Sequence, residues 1–90
     1  MKTHILKSWP KFFEPIAAGI RTHELRRCDR DFHVGDRIEL REFDPVTNEY
    51  TGRVCFVLVM SITSAEEPCA VSEEALNPHF CILSVRLTSQ

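Results

Sequence analysis

Apolar and polar positions alternate along several stretches of this chain, and one stretch near the N-terminus follows a helical period instead. Trp9, Phe12, Phe13, Ile16 and Ile20 recur at helical spacing, which predicts a short amphipathic helix over residues 9–18. Ser8 is placed to cap it, Pro10 suits its first turn, and Gly19 suits its C-terminal stop. Pro15 lacks an N–H and crowds the carbonyl four residues back, so a kink or an irregular early turn is expected. Phe12 and Phe13 read as core residues, whereas Trp9, at the start of an element, is free to stack on a ligand.

Residues 4–8 read as a first strand. Residues 21–27 put Thr22, Glu24 and Arg26 on one face and His23 and Leu25 on the other. A loop with a Gly35–Asp36 turn leads into residues 37–43, which point Ile38 and Leu40 inward. Residues 44–52 are dense in turn formers and predict a hairpin loop. The long β-branched run at 53–63 predicts a central strand buried on both faces. Ser72 is a candidate cap for a one-turn helix over Glu73, Glu74, Ala75 and Leu76. Residues 80–88 form a last strand with Cys81, Leu83, Val85 and Leu87 on one face.

About five strands, mostly sequential, with one N-terminal helix and one short later helix, define an α+β chain. The expected architecture is a small, mostly antiparallel, partly closed β-barrel with a helix against it. No stretch reads as a βαβ unit. Gly19, Gly35 and Gly52 are the only glycines, so P-loop and dinucleotide fingerprints are absent.

Length limits what such a barrel can hold. Ninety residues make one domain over 1–90. A chain of that size buries only about 60–65% of its unfolded surface, which favours a surface cleft over a deep internal cavity. No run of 18 apolar residues is present. Lys7, Pro10, Lys11 and Glu14 interrupt any signal-peptide core, so a cytoplasmic protein with no membrane partner is expected. Cys28, Cys55, Cys69 and Cys81 form no CxxC pair, and Cys55 and Cys81 lie in apolar runs. Reduced thiols, with those two as small buried hydrophobes, are favoured over a disulfide framework or a zinc site. His4, His23, His33 and His79 show no HxH or HxxxH spacing, so neither a metal nor a cofactor is expected.

Charge changes the picture more. The net charge of −2 hides an asymmetry: residues 1–41 hold nine Lys/Arg against six Asp/Glu, and residues 42–90 hold two against seven. The basic half is rich in arginine, and residues 19–31 (GIRTHELRRCDRD) are its densest part. A strand there sets Glu24 and Arg26 about 6–7 Å apart on one face. Arg21 precedes them, and Arg27 and Arg30 follow. Guanidinium groups organised by one carboxylate can grip a phosphate or a base edge. The competing reading is a solvated face of weak ion pairs, worth about 0–1 kcal/mol each. Tyr50 and Phe43 flank the hairpin, where they stack a base or merely cover the barrel rim. The pairs Glu66–Glu67 and Glu73–Glu74 read as solvated acids.

Taken together, HILKSWPKFF, AAGIRTHELRRCDRDFHVGDRIELREFDPVTNEYTGR and the closing FCILSV resemble the DUF3850 family, within the ASCH/PUA-like superfamily. The resemblance implies a PUA-like barrel with a cleft between the helix, the RTHELRR strand and nearby loops. It implies RNA binding, or a small enzyme acting on RNA or a modified nucleoside. One branch of the superfamily is similar to an amidohydrolase acting on N4-acetylcytidine, with a lysine two positions after the helix-ending glycine, a threonine three further on and a later glutamate. Here Arg21 and Glu24 stand at the first two positions, and Glu66, Glu67, Glu73 or Glu74 is the later acid. Arginine stays protonated where lysine can act as a base, so that activity does not carry over.

The expected function is therefore a nucleic-acid-binding module, for RNA above all. Its contacts would come from Trp9, Arg21, Glu24, Arg26, Arg27, Arg30 and Tyr50. A hydrolase using Glu24 with Arg21 is the first alternative, and a protein-interaction module of a mobile element or phage is the second.

Overall fold

The computed structural model describes residues 2–67 and 76–89. Five strands and one helix follow in the order β1 (Thr3–Ser8), α1 (Pro10–Ala17), β2 (His23–Arg27), β3 (Arg37–Asp44), β4 (Glu49–Ser64) and β5 (Phe80–Thr88). They form one sheet in the order β1-β3-β4-β5-β2. The expected one-turn helix at 73–76 falls almost wholly outside the described residues, as do Ser72 and Cys69.

The sheet is strongly curled. Laid flat, its two edge strands would lie roughly 19 Å apart, at about 4.8 Å per strand spacing. Instead the Arg26 guanidinium on β2 donates to the Lys7 carbonyl on β1 over 2.8 Å. The sheet is thus a half-barrel whose seam is bridged by a side chain. Phe13 and Ile16 of α1 enter its concave side against Leu6, Ile38, Leu40, Val57, Val59 and Leu83, all buried.

The strand order corrects the expectation of sequential hairpins. Among the described residues only β3–β4 is a tight hairpin. β1 pairs with β3 in parallel, across a crossover that contains α1 and β2, and β2 pairs antiparallel with β5. The hairpin loop is also shorter than 44–52. Asp44 accepts from the Val46 N–H, Asn48 takes a positive φ of 58°, and Tyr50, Thr51 and Gly52 already lie in β4. β4 is central, as expected, but only one of its faces is fully buried: Val57 and Val59 point inward, Phe56 and Leu58 are half-covered, and Met60 is exposed. The register shifts between Val59 and Ser61. On β5, Leu87 leaves the buried row of Cys81, Leu83 and Val85 and is exposed. Cys55 is half-buried rather than a core residue.

The helix starts and stops for different reasons than a simple cap would supply. Trp9, not Ser8, occupies the N-cap position, and no side chain caps it. Both the Phe12 and Phe13 N–H groups donate to the Trp9 carbonyl, which tightens the first turn, and Pro15 is accommodated within the helix. At the other end Gly19 takes φ +77°, its N–H donates to the Ile16 carbonyl, and the Ile20 N–H donates to the Pro15 carbonyl. That double closure turns the chain sharply into β2. Ile20 is left outside the helix and exposed.

A buried lock secures the N-terminal end of β1. Asp36 accepts from the Lys2 and His33 N–H groups and pairs with His4 Nε2 at 2.9 Å. Burial alone would raise its carboxyl, but the bonds from His4 and from the His33 and Lys2 backbone outweigh that and hold it at about 2. A carboxyl held below its ordinary value stabilises the fold fully above that value and progressively less as pH falls toward the folded one. Stability should therefore fall between about pH 4 and pH 2. Urea titrations over that range should show a shallower acid slope for Asp36→Asn than for the wild type. An unchanged slope would remove Asp36 from the account. Glu14, which Arg53 holds below the usual carboxylate range, is common to both proteins.

Candidate nucleic-acid interface

Alternation in β2 does the opposite of what hydrophobicity asks. Leu25 points out and is exposed, while Glu24 points into the half-barrel and is only 4% exposed. This excludes the reading of a solvated ion-pair face at that position. A buried carboxylate needs a partner, and Arg26 supplies one: its Nε and Nη2 both lie 2.8 Å from Glu24 Oε2. The same guanidinium reaches the Lys7 carbonyl, so Arg26 joins the carboxylate to the seam. The Cys55 thiol is pushed up to about 11, first by burial and then by the nearby Glu24 charge, with Arg53 opposing.

Two hollows open along this seam. The first, about 520 Å³, is lined by Lys7, Ser8, Trp9, Phe12, Arg21, Glu24, Leu25 and Arg26. Trp9 and Phe12 lie nearly parallel, with ring centroids 6.3 Å apart, and the Arg21 guanidinium lies 4.9 Å from the Phe12 centroid. The double closure at Gly19 sets this up, because it also brings the Arg21 N–H onto the Pro15 carbonyl. Two buried polar atoms here have no partner, Ser8 Oγ and Arg21 Nε. Leaving such groups unpaired is costly, about 1–3 kcal/mol each, unless a ligand or water meets them.

The second hollow, about 450 Å³, is lined by Ile5, Leu6, Lys7, Arg26, Arg27, Asp29, Arg30, Phe32 and Tyr50. It shares Lys7 and Arg26 with the first, so the two adjoin at the Arg26–Lys7 bridge and together make up the seam groove. Lys7 Nζ stands 4.3 Å from the Phe43 centroid and 5.9 Å from that of Tyr50, whose ring meets Phe43 edge-on. Arg27 lies over Phe80. Among the described residues, Arg21, Arg27 and Arg30 pair with no carboxylate. The groove therefore combines aromatic surface with cations available to a ligand.

The candidate residues divide between the hollows. Trp9, Arg21 and Glu24 line the first, Arg27, Arg30 and Tyr50 the second, and Arg26 both. Glu66 and Glu67 sit exposed in the turn after β4 and line neither hollow, whereas Glu73 and Glu74 lie outside the described residues. Sequence reasoning missed Lys7 and Ser8, whose alternation within β1 was the available signal, and it assigned Phe12 to the core although it walls the first hollow. A third network lies apart from the groove: Arg53 pairs with Glu14 of α1, stands over Phe13, and lies 3.8 Å from Glu42, a buried acid that accepts from Thr51 Oγ1 at 2.6 Å. No three His, Cys, Asp or Glu residues are grouped to hold a metal ion among the described residues, and no described helix is long and apolar enough to cross a membrane.

Fold and site together define a small α+β half-barrel with a basic, aromatic-walled groove along its seam. The chain belongs to the DUF3850 family, a domain of unknown function, whose pattern matches residues 3–85. No curated protein matches it.

Proposed function

We propose that this protein is a nucleic-acid-binding module that takes single-stranded RNA along the β1–β2 seam. The observation that carries the reading is the groove itself: Arg21, Arg27, Arg30 and Lys7 flank exposed aromatic rings, and a buried acid holds Arg26 between them. One unstacked base would rest against Trp9 in the first hollow, among Ser8, Arg21 and Glu24. Phosphates would follow Arg27 and Arg30. Splayed bases on aromatic rings with cations on the backbone are how proteins commonly take single strands. The sequence's resemblance to the ASCH/PUA-like superfamily supports the same reading, and with it a PUA-like barrel acting in the cytoplasm.

Titrating labelled single-stranded RNA pools into the protein tests the proposal. Binding should be present at low salt and weaken steadily as salt rises. No binding at low salt would end it. Glu24→Gln separates a binder from a hydrolase that uses Glu24 as its base. The binder keeps most of its affinity and shows no turnover to lose, whereas the hydrolase cleaves RNA or a nucleoside in the wild type and stops in the variant.

A further inference from the structure

We infer that Cys28 and Cys81 form a redox-responsive dithiol that closes to a disulfide and resets the loop carrying Arg30. The pairing of β2 with β5 brings them together. Arg26 stands opposite Cys81, and two residues on the Cys28 N–H donates to the His79 carbonyl, so Cys28 and Cys81 are diagonal neighbours on one face. Burial first, and then the neighbouring Cys28, push the Cys81 thiol up to about 12, so Cys28 is the member that reacts first. Both are free thiols, Cys28 exposed and Cys81 buried. The exposed member can meet an oxidant, and the buried one can resolve the product.

The geometry also says what closure does. Diagonal cross-strand neighbours lie about 7–8 Å apart at Cα. A disulfide prefers about 4.4–6.8 Å. Cys28 is the first residue beyond β2, so it is the member able to move inward. Asp29, Arg30 and Phe32 follow it directly and line the second hollow. Closing the bond therefore shifts one wall of the groove. A bond that must draw its partners together is also easily reduced, which suits a reversible device.

With glutathione disulfide as oxidant, the Cys28 thiolate attacks one of its sulfurs, the glutathione S–S bond breaks, and one glutathione thiol leaves. The Cys81 sulfur then attacks Cys28 in the mixed disulfide and releases the second. Two electrons pass from the cysteines to the oxidant, and their two protons end on the glutathione thiols.

The test uses the full chain with Cys55→Ala and Cys69→Ser, which leaves only this pair, alongside the wild type. Each is equilibrated with glutathione buffers of graded ratio, and mass spectrometry with peptide mapping reads the product. The expected result is a loss of two hydrogen atoms and a Cys28–Cys81 linked peptide in both proteins, reversed by dithiothreitol. Stable glutathione adducts without the link, or a wild-type link through another cysteine, would overturn the inference. The functional consequence rests on the RNA-binding reading and is measured separately, by titrating single-stranded RNA into the reduced and oxidised forms. Oxidation should weaken binding by about tenfold, the loss of roughly one phosphate contact, and Cys28→Ser should abolish that sensitivity. Equal affinity of the two forms would refute the coupling to the groove. Absence of RNA binding by the reduced protein would refute the functional reading while leaving the mapped disulfide as found.

Discussion

Replacing Arg26 by alanine should cost the fold about 3 kcal/mol, a fall of roughly 10–20 °C in the thermal midpoint for a domain of this size. The reason lies in Glu24. That carboxylate is 4% exposed, and Arg26 meets one of its oxygens with both Nε, which donates the hydrogen bond, and Nη2. Without the guanidinium a charge is left in the half-barrel with no counter-ion, and the seam loses the bond to the Lys7 carbonyl. Arg26→Lys should recover only part of the loss, because an ammonium cannot hold the carboxylate and the carbonyl in one planar fork. Glu24→Ala should cost less, since Arg26 is a quarter exposed and can turn to water. Thermal unfolding of the three variants checks the order. An Arg26→Ala protein as stable as the wild type would show that the seam does not depend on this side chain.

Arg21→Ala should behave in the opposite way. Its guanidinium lies on Phe12 with Nε unpartnered and pairs with no carboxylate among the described residues, so the folded protein gains little from it. RNA affinity should fall by about 1–3 kcal/mol, or roughly 5- to 150-fold, with the thermal midpoint nearly unchanged. Arg26 and Arg21, two residues of the same type in the sequence, thus separate into a residue that holds the groove together and one that is left for a ligand. Anisotropy titrations beside thermal melts distinguish them. Loss of stability without loss of affinity on removing Arg21 would reverse the assignment.

This division marks where sequence reasoning stopped. Period-two alternation was enough to put Glu24 and Arg26 on one face and to turn Ile38 and Leu40 inward, and helical spacing with a stop glycine was enough to end the helix at Gly19. All three depend on residues within a few positions of each other. Which face of β2 turns inward was not legible, because Leu25 competes with Glu24 for the interior, and only the curl of the sheet decides it. The β1–β3 and β2–β5 pairings were hidden for a related reason. Hairpin signals report neighbours in the chain, and these strands meet across the crossover and the length of β4 and β5. Ser8 looked like a helix cap because its type and position fit one. In the fold it ends β1 beside the first hollow, with its hydroxyl buried and unpartnered. His4 and Asp36 gave no spacing signal at all, since the parallel β1–β3 register is what brings them together.

The central claim is that the seam groove takes single-stranded RNA through cations the fold leaves unpaired. The most direct measurement is the salt dependence of single-stranded RNA binding, compared between the wild type and a triple variant, Arg21→Ala, Arg27→Ala and Arg30→Ala. Each phosphate contact on a single strand contributes about 0.7 to the slope of log affinity against log salt. The account predicts that the wild type binds at low salt, and that the folded triple variant binds more weakly with a slope shallower by about 2. A triple variant that matches the wild type in both affinity and slope would contradict it.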